Sequence, residues 1–194
     1  MRKLLIAVPL VLCLSTPVAQ AQQSLFFSLG FGAVVPTGSL ADGYAAGLMG
    51  DGSFGFMNGR MGVRLLMGSA EPNTRGRTND AWSAVVGRRI EVREALVPVE
   101  VQGLYLIPLR PSTLALRLQG GLGASSVTTR IKGTDDRLAD DWHFGMSGGA
   151  GLILSRRNGP TFGMGIHGVY RRIFDGPDSI DAITGELELS LSFG

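Results

Sequence analysis

Residues 184–194 read TGELELSLSFG, and this closing stretch decides the fold class. Its polar and apolar residues alternate without interruption. Successive side chains of a β-strand point to opposite faces, so a strand built from this stretch has one apolar face and one polar face. Two arrangements satisfy the pattern: an apolar protein core with water outside, or lipid outside with a polar interior. The polar set is Glu186, Glu188, Ser190 and Ser192, and the apolar set is Leu187, Leu189, Leu191 and Phe193.

The same alternation recurs in seven earlier segments of similar length. A period of two residues over such a length is typical of half-buried strands, and repeated strands without intervening helical patterns indicate an antiparallel all-β fold. We therefore predict an eight-stranded antiparallel up-and-down β-barrel. The seven earlier segments are 24–35, 48–56, 61–68, 94–106, 114–125, 143–154 and 162–171.

The connections between these segments alternate between short and long. Asn58-Gly59 predicts a two-residue hairpin, because both residue types tolerate positive φ, and PLRP and SRRNG are the other short connections. Short periplasmic turns at one end and long extracellular loops at the other are typical of outer-membrane barrels. The predicted long connections are 36–46, 71–89, 130–140 and 175–181.

The N-terminus predicts a secretory signal peptide. Arg2 and Lys3 precede an apolar run at 4–14, and Ala19-Gln20-Ala21 supplies the small residues that a signal peptidase requires. We expect residues 1–21 to be removed and residues 22–194 to form one barrel domain. Removal of Arg2 and Lys3 balances the basic and acidic residues, so the charge favours no nucleic-acid partner.

The chain resembles the small eight-stranded outer-membrane β-barrel family, which includes OmpX and the transmembrane domain of OmpA. The resemblance rests on the signal peptide, the eight segments, the rhythm of the connections, the opening SLGFGAVVPTGSL and the C-terminal aromatic residue. Members usually end on that aromatic residue, whereas Gly194 follows Phe193 here. The resemblance implies outer-membrane localisation, both termini in the periplasm, and contact with outer-membrane lipid, lipopolysaccharide and, during biogenesis, the barrel-assembly machinery.

A soluble lipocalin-like barrel is the alternative with the opposite orientation, since its apolar faces point inward around a ligand. A soluble surface should carry many charges. The polar faces of segments 114–125, 143–154 and 162–171 consist mostly of glycine and serine. Small residues fit the narrow interior of an eight-stranded barrel better, which favours the membrane orientation.

The charged residues of the polar faces should then meet inside the barrel. An unpaired buried charge is costly, so we expect these side chains to form a polar plug. Register counting predicts that Asp51 lies diagonal to Arg64, and that Glu100 and Gln102 lie near Arg117. A narrow small-solute pore is the alternative. The expected lumen network is Asp51, Arg64, Glu100, Gln102, Arg117, Gln119, His167, Arg171, Glu186 and Glu188.

The sequence offers one set of residues for catalysis. His143, Asp141 and Ser147 resemble the components of a hydrolase, but residues two or four apart on one strand diverge. We therefore expect a non-enzymatic protein with a structural or surface-interaction role, without catalytic residues, cofactor or metal; a lipid-modifying enzyme is the alternative. The acidic residues Asp135, Asp136, Asp140 and Asp141 could attract a divalent cation, although a solvated loop is favoured.

A basic stretch lies between the third and fourth segments. Arginines bind phosphate groups through paired hydrogen bonds, so an external loop rich in arginine could contact lipopolysaccharide. The alternative is a surface loop that uses charge for solubility. The candidate contacts are Arg75, Arg77, Trp82, Arg88 and Arg89, with Arg93 at the end of the stretch.

Overall fold

The computed structural model describes residues 23–38, 40–110, 113–134, 136–155, 161–175 and 178–193. The predicted signal peptide, residues 1–21, lies outside the described residues, as do Gly194 and the predicted SRRNG turn apart from Ser155.

Eight strands form one closed barrel in which each strand is antiparallel to the next and the last pairs with the first. The predicted fold class is confirmed. The strands are β1 (Gln23–Thr37), β2 (Tyr44–Asn58), β3 (Met61–Thr74), β4 (Val92–Arg110), β5 (Leu114–Ile131), β6 (Arg137–Ser155), β7 (Thr161–Asp175) and β8 (Asp178–Phe193). The helices are α1 (Leu40–Gly43) and α2 (Gly76–Val86).

The two faces of the barrel have opposite polarity. The apolar residues of the alternating segments point outward, so that Ile166 is 68% exposed and Phe31 60% exposed. The polar residues point inward, and Arg64 is 1% exposed. This arrangement is the reverse of a soluble lipocalin-like barrel, and it suits a surface surrounded by hydrocarbon.

The turn between β2 and β3 differs by one residue from the predicted Asn58-Gly59 hairpin. Asn58 still pairs with Met61, so the two-residue turn consists of Gly59 and Arg60. Gly59 adopts φ 62°, a conformation that favours glycine, whereas Asn58 does not have a positive φ. A glycine at the first central position is the requirement of a type II′ turn, which explains the shift.

The four connections at the other end are shorter than expected, because the strands extend further. The predicted loop 130–140 reduces to residues 132–136, and the predicted loop 175–181 reduces to 176–177. Residues 75–91, between β3 and β4, form the longest connection at this end and contain α2. The alternation of polar and apolar residues weakens at these strand ends. Backbone hydrogen bonding between neighbouring strands does not depend on that alternation, so the strands continue into the predicted loops.

The α2 helix packs onto the barrel wall beside it. Trp82 and Val86 contact the buried cluster of Ile90, Val92 and Ile131. Two side chains of the helix also hold the following backbone: the Asn79 Oδ1 atom accepts a hydrogen bond from the Val92 amide (2.8 Å), and the Ser83 hydroxyl accepts one from the Ile90 amide (2.9 Å). The helix ends at Gly87, whose φ of 74° is left-handed. Among the described residues, helices of sufficient length and apolarity to cross a membrane are absent.

Candidate functional site

The structure places the ten residues of the expected lumen network inside the barrel, and all ten are buried. They come from six of the eight strands, so the interior is filled from most sides. Burial at these positions requires partners, because an isolated charge away from water is strongly disfavoured. The residues are Asp51, Arg64, Glu100, Gln102, Arg117, Gln119, His167, Arg171, Glu186 and Glu188.

Glu188 lies at the centre of one group of contacts. Both of its carboxylate oxygens accept hydrogen bonds from Arg117 (Nη1 to Oε1 2.7 Å, Nη2 to Oε2 2.6 Å), and Oε2 also accepts one from Arg64 Nη1 (2.8 Å). Arg64 additionally donates to Gln102 Oε1 (2.8 Å) and Gln119 Oε1 (3.1 Å). One carboxylate on β8 therefore holds arginines from β3 and β5 across the lumen, in the paired geometry that makes charged hydrogen bonds strong.

His167 belongs to the same group. Its Nε2 atom lies 2.8 Å from Arg117 Nη2. A guanidinium can only donate, so Nε2 accepts and the proton of the neutral ring lies on Nδ1. The ring fits because glycines lie beside it on β6 and on its own strand, β7: a Cβ atom on Gly151 would lie 2.1 Å from Nδ1, and one on Gly165 would lie 2.6 Å from Nε2. Glycines on the polar faces thus provide the space for the ring.

Arg171 organises a second group. It donates to Glu100 Oε1 (3.0 Å), to Thr184 Oγ1 (2.7 Å) and to Glu186 Oε1 (3.2 Å). Ser147 donates to the other oxygen of Glu100 (2.6 Å). Sequence reasoning did not include Ser147 or Thr184 in the network, although both occupy inward positions of alternating segments and could have been found by that signal.

Gln102 connects the two groups. Its Oε1 atom accepts from Arg64, and its Nε2 atom donates to Glu100 Oε2 (2.6 Å). The side chain is completely buried. The polar interior is therefore one continuous network in which three arginines share carboxylates and amides from several strands.

The two pairings expected from register counting are wrong. Arg117 bonds Glu188, whereas Glu100 bonds Arg171. In the observed register Arg117 lies opposite Leu106 and Glu100 lies opposite Gly123, a separation of six residues or about 20 Å along β5. The sequence PLRP does not specify a turn type, so it did not fix the register between β4 and β5.

Asp51 is also not diagonal to Arg64. Asp51 lies opposite Gly68, and Arg64 lies opposite Gly55, four residues away on β2. The Oδ2 atom of Asp51 is buried without a hydrogen-bond partner among the described residues. Gly30 and Gly68 flank this carboxylate closely, since a Cβ atom on Gly30 would lie 2.7 Å from Oδ1.

An apolar layer lies in the lumen beyond the polar network, towards α2. Sequence alternation did not reveal it, because at these strand ends the inward positions are apolar and the outward positions include polar residues such as Ser69, Glu71 and Arg172, so the contrast used to assign the faces is lost. A cavity of only about 20 Å³ lies where this layer meets Arg171 and Thr184. The layer consists of Val34, Met49, Ala70, Leu96, Ile173 and Ala182, with Val127 and Ile180 packed against it.

The residues considered for catalysis do not assemble. His143 Nδ1 lies 3.4 Å from Asp175 Oδ1, and the Ser147 hydroxyl donates to Glu100.

Asp140, one of the acidic residues considered for a divalent cation, accepts a hydrogen bond from Arg137 Nη1 (2.7 Å) and from two hydroxyls of β5. Within the described ranges, which omit Asp135, groups of three or more residues suited to bind a metal ion are absent.

The predicted loop contacts divide into two kinds. Arg75, Arg77, Arg88 and Arg89 are exposed. Trp82 is half-buried because its ring packs onto the wall of the barrel. Arg93 lies within β4 and forms an ion pair with Glu71. The arginines are thus available to a ligand, while the tryptophan anchors α2.

Solved structures of outer-membrane barrels share this architecture. Neisserial surface protein A superimposes with a TM-score of 0.59 at 14% identity, over 87% of this chain and 95% of that one. The chain has the fold of the small outer-membrane β-barrels. Ail of Yersinia pestis matches with a TM-score of 0.50 at 15% identity (88% and 98% covered). The N-terminal barrel of Pseudomonas aeruginosa OprF matches with a TM-score of 0.50 at 16% identity (90% and 100% covered).

Sequence comparison adds nothing to this likeness. No protein-family model matches the barrel, and no curated protein matches its sequence. At these identities the shared property is the fold. The assignment of this fold therefore rests on the number of strands, the closure of the barrel and the polarity of its two faces.

Proposed function

We propose that this barrel is a non-enzymatic protein of the outer membrane with a sealed lumen and a structural or surface-interaction role. In this proposal the signal peptide, residues 1–21, directs export, and the barrel-assembly machinery inserts residues 22–194. Both termini then lie in the periplasm, and the end that carries α2 faces outward. The loop arginines, Arg75, Arg77, Arg88 and Arg89, contact lipopolysaccharide.

The observation that carries the proposal is the filling of the lumen at two levels. The polar network occupies the middle of the barrel, where Arg64 and Gln102 are almost completely buried. The apolar layer around Leu96 closes the interior above it. An ion crossing the barrel would have to break several charged hydrogen bonds and then enter an apolar layer without compensation, which is costly.

Conductance in planar bilayers tests the seal. The wild-type barrel should give no discrete current steps above the lipid background. A Met49→Gly, Leu96→Gly variant removes two side chains of the apolar layer and leaves the polar network unchanged, so any current it carries measures that layer alone. Regular single-channel steps from the wild-type barrel would contradict the seal and support the narrow pore.

Fractionation tests the proposed location and processing. The mature protein should appear in outer-membrane fractions, with an N-terminus at Gln22, and unheated samples should migrate differently from heated ones in SDS gels. Recovery as a soluble periplasmic monomer would contradict insertion into lipid. Expression in a host should also leave the mass of lipid A unchanged, since a changed mass would identify a lipid-modifying enzyme.

The proposed loop contact with lipopolysaccharide rests on charge and exposure. Arg88 and Arg89 follow α2 directly, and both side chains are exposed. Replacement of Arg75, Arg77, Arg88 and Arg89 by glutamine should lower the amount of lipopolysaccharide that remains bound to purified protein. Unchanged retention would assign these arginines to solubility.

A further inference from the structure

Three arginines form a row on adjacent strands at the α2 end of the barrel. Arg93 of β4 lies directly opposite Arg130 of β5, and Arg130 pairs with Arg137 of β6 beside a shift in the register of these two strands. Directly opposed residues have Cβ atoms about 5 Å apart, so neighbouring guanidinium groups can reach one ligand. All three side chains are exposed. We call Arg93, Arg130 and Arg137 the rim arginines.

The rim arginines carry more positive charge than their partners neutralise. Arg93 is paired with Glu71, and Arg137 is paired with Asp140 at 2.7 Å. Arg130, in the middle, has no ion pair or hydrogen bond from its side chain within the described part of the chain. Like charges opposite each other destabilise a strand pair. The row therefore places an unneutralised cation between two others, an arrangement that an anion would stabilise.

The surface below the row suits the interface of a membrane. Trp142 lies opposite Ser126, four residues from Arg130 and thus about 13 Å along β5. The Trp142 side chain is 62% exposed. Next to it, the rings of Phe144 and Phe174 stack at 6.2 Å on the same outer face. Aromatic residues flank the apolar band of membrane barrels, so the row above them lies at the depth of lipid headgroups.

We propose that the rim arginines bind the phosphate of an outer-leaflet lipid headgroup, with Arg130 as the central contact. A guanidinium offers two parallel N–H groups that match two phosphate oxygens, and neighbouring arginines can hold one phosphate from two sides. The inference rests on the proposed function, because that function places this end of the barrel in the outer leaflet. It differs from the loop contact, because these arginines lie on strands and face the lipid.

Native mass spectrometry of the barrel released from mixed nanodiscs tests the proposal. The probes are phosphatidate, which carries a phosphate monoester, and phosphatidylcholine, whose phosphate is neutralised within the headgroup. The wild-type barrel should retain phosphatidate in preference to phosphatidylcholine. Arg130→Gln should lower this preference about tenfold, since it removes a charged hydrogen-bond donor to phosphate.

Arg60→Gln is the matched control. Arg60 is also an exposed arginine, but it lies in the β2–β3 turn at the opposite end of the barrel and has no arginine opposite it. This variant should keep the wild-type preference. A second measurement uses stability: phosphatidate should raise the unfolding midpoint of the wild-type barrel and of Arg60→Gln, and raise that of Arg130→Gln less.

Two results would overturn the lipid site. The first is an Arg130→Gln barrel that folds normally and retains phosphatidate as the wild type does. The second is displacement of the lipid by soluble glycerol phosphate at equal concentration, which would identify a site for free anions. Failure of the proposed function gives a different result, because a barrel that does not insert into lipid would show neither a heat-dependent gel shift nor retention of any lipid.

Discussion

The interior arginines and the rim arginines use the same side chain under opposite conditions. The interior arginines are Arg64, Arg117 and Arg171, and each is buried and held by at least one carboxylate. The rim arginines are exposed, and their central member has no such partner. Burial removes water as a competitor, so an interior pair is costly to break, whereas water and salt weaken a pair at the surface. The energetic role of an arginine in this barrel therefore depends on its depth more than on its charge.

The largest expected effect is the loss of an interior arginine. Arg64→Leu leaves Glu188 with one fewer charged partner and leaves the Gln102 and Gln119 oxygens without a donor. We expect a loss of about 3–5 kcal/mol in the free energy of unfolding, measured by urea titration in bilayers. Arg93→Leu at the rim should cost less than about 1 kcal/mol. Equal losses would remove the distinction between the two sets.

The next effect separates the two faces of the closing strand. Leu189→Arg places a charge in hydrocarbon, at a cost of about 2–4 kcal/mol near the bilayer midplane. Ser190→Arg points into the lumen and should cost less. Unfolding free energies in bilayers of increasing thickness should show a growing cost for Leu189→Arg only. The assignment of faces fails if both variants cost the same.

A double-mutant cycle then tests the observed pairing inside the lumen. Arg117→Leu and Glu188→Leu should be non-additive, with a coupling energy of about 1–3 kcal/mol, because the two side chains share two hydrogen bonds. The cycle of Arg117→Leu with Glu100→Leu is the control and should show a smaller coupling, because these two side chains share no hydrogen bond and are linked only through other members of the network. A larger coupling in the control would favour the pairing expected from sequence.

The smallest effect is expected for the exposed pair Lys132 and Glu91. Their side chains are 3.0 Å apart, and both are largely exposed. The double change Lys132→Gln, Glu91→Gln should alter the unfolding free energy by less than about 1 kcal/mol, and high salt should erase the difference. A large, salt-resistant loss would show that surface pairs at this end contribute as interior pairs do.

The sequence predicted the candidate site only in part. The inward position of Glu188 and Arg117 followed from alternation, because side-chain direction in a strand depends only on parity. Their pairing did not, because it depends on the stagger of strands around the closed barrel. The apolar layer around Leu96 and Ile173 was missed because the inward positions at these strand ends are apolar, so polarity no longer distinguishes the two faces.

The sequence by itself determined the number of strands, their antiparallel order and the face on which the side chains of the alternating segments lie, since these follow from a local period of two residues. Tertiary structure alone decided that Glu188 joins Arg64 and Arg117, that the strands extend through the predicted loops at 130–140 and 175–181, and that Arg130 lies between two other arginines. The physical reason is the separation along the chain of the residues that each property involves. Parity is a property of neighbouring residues, whereas register and closure bring together residues far apart in the chain.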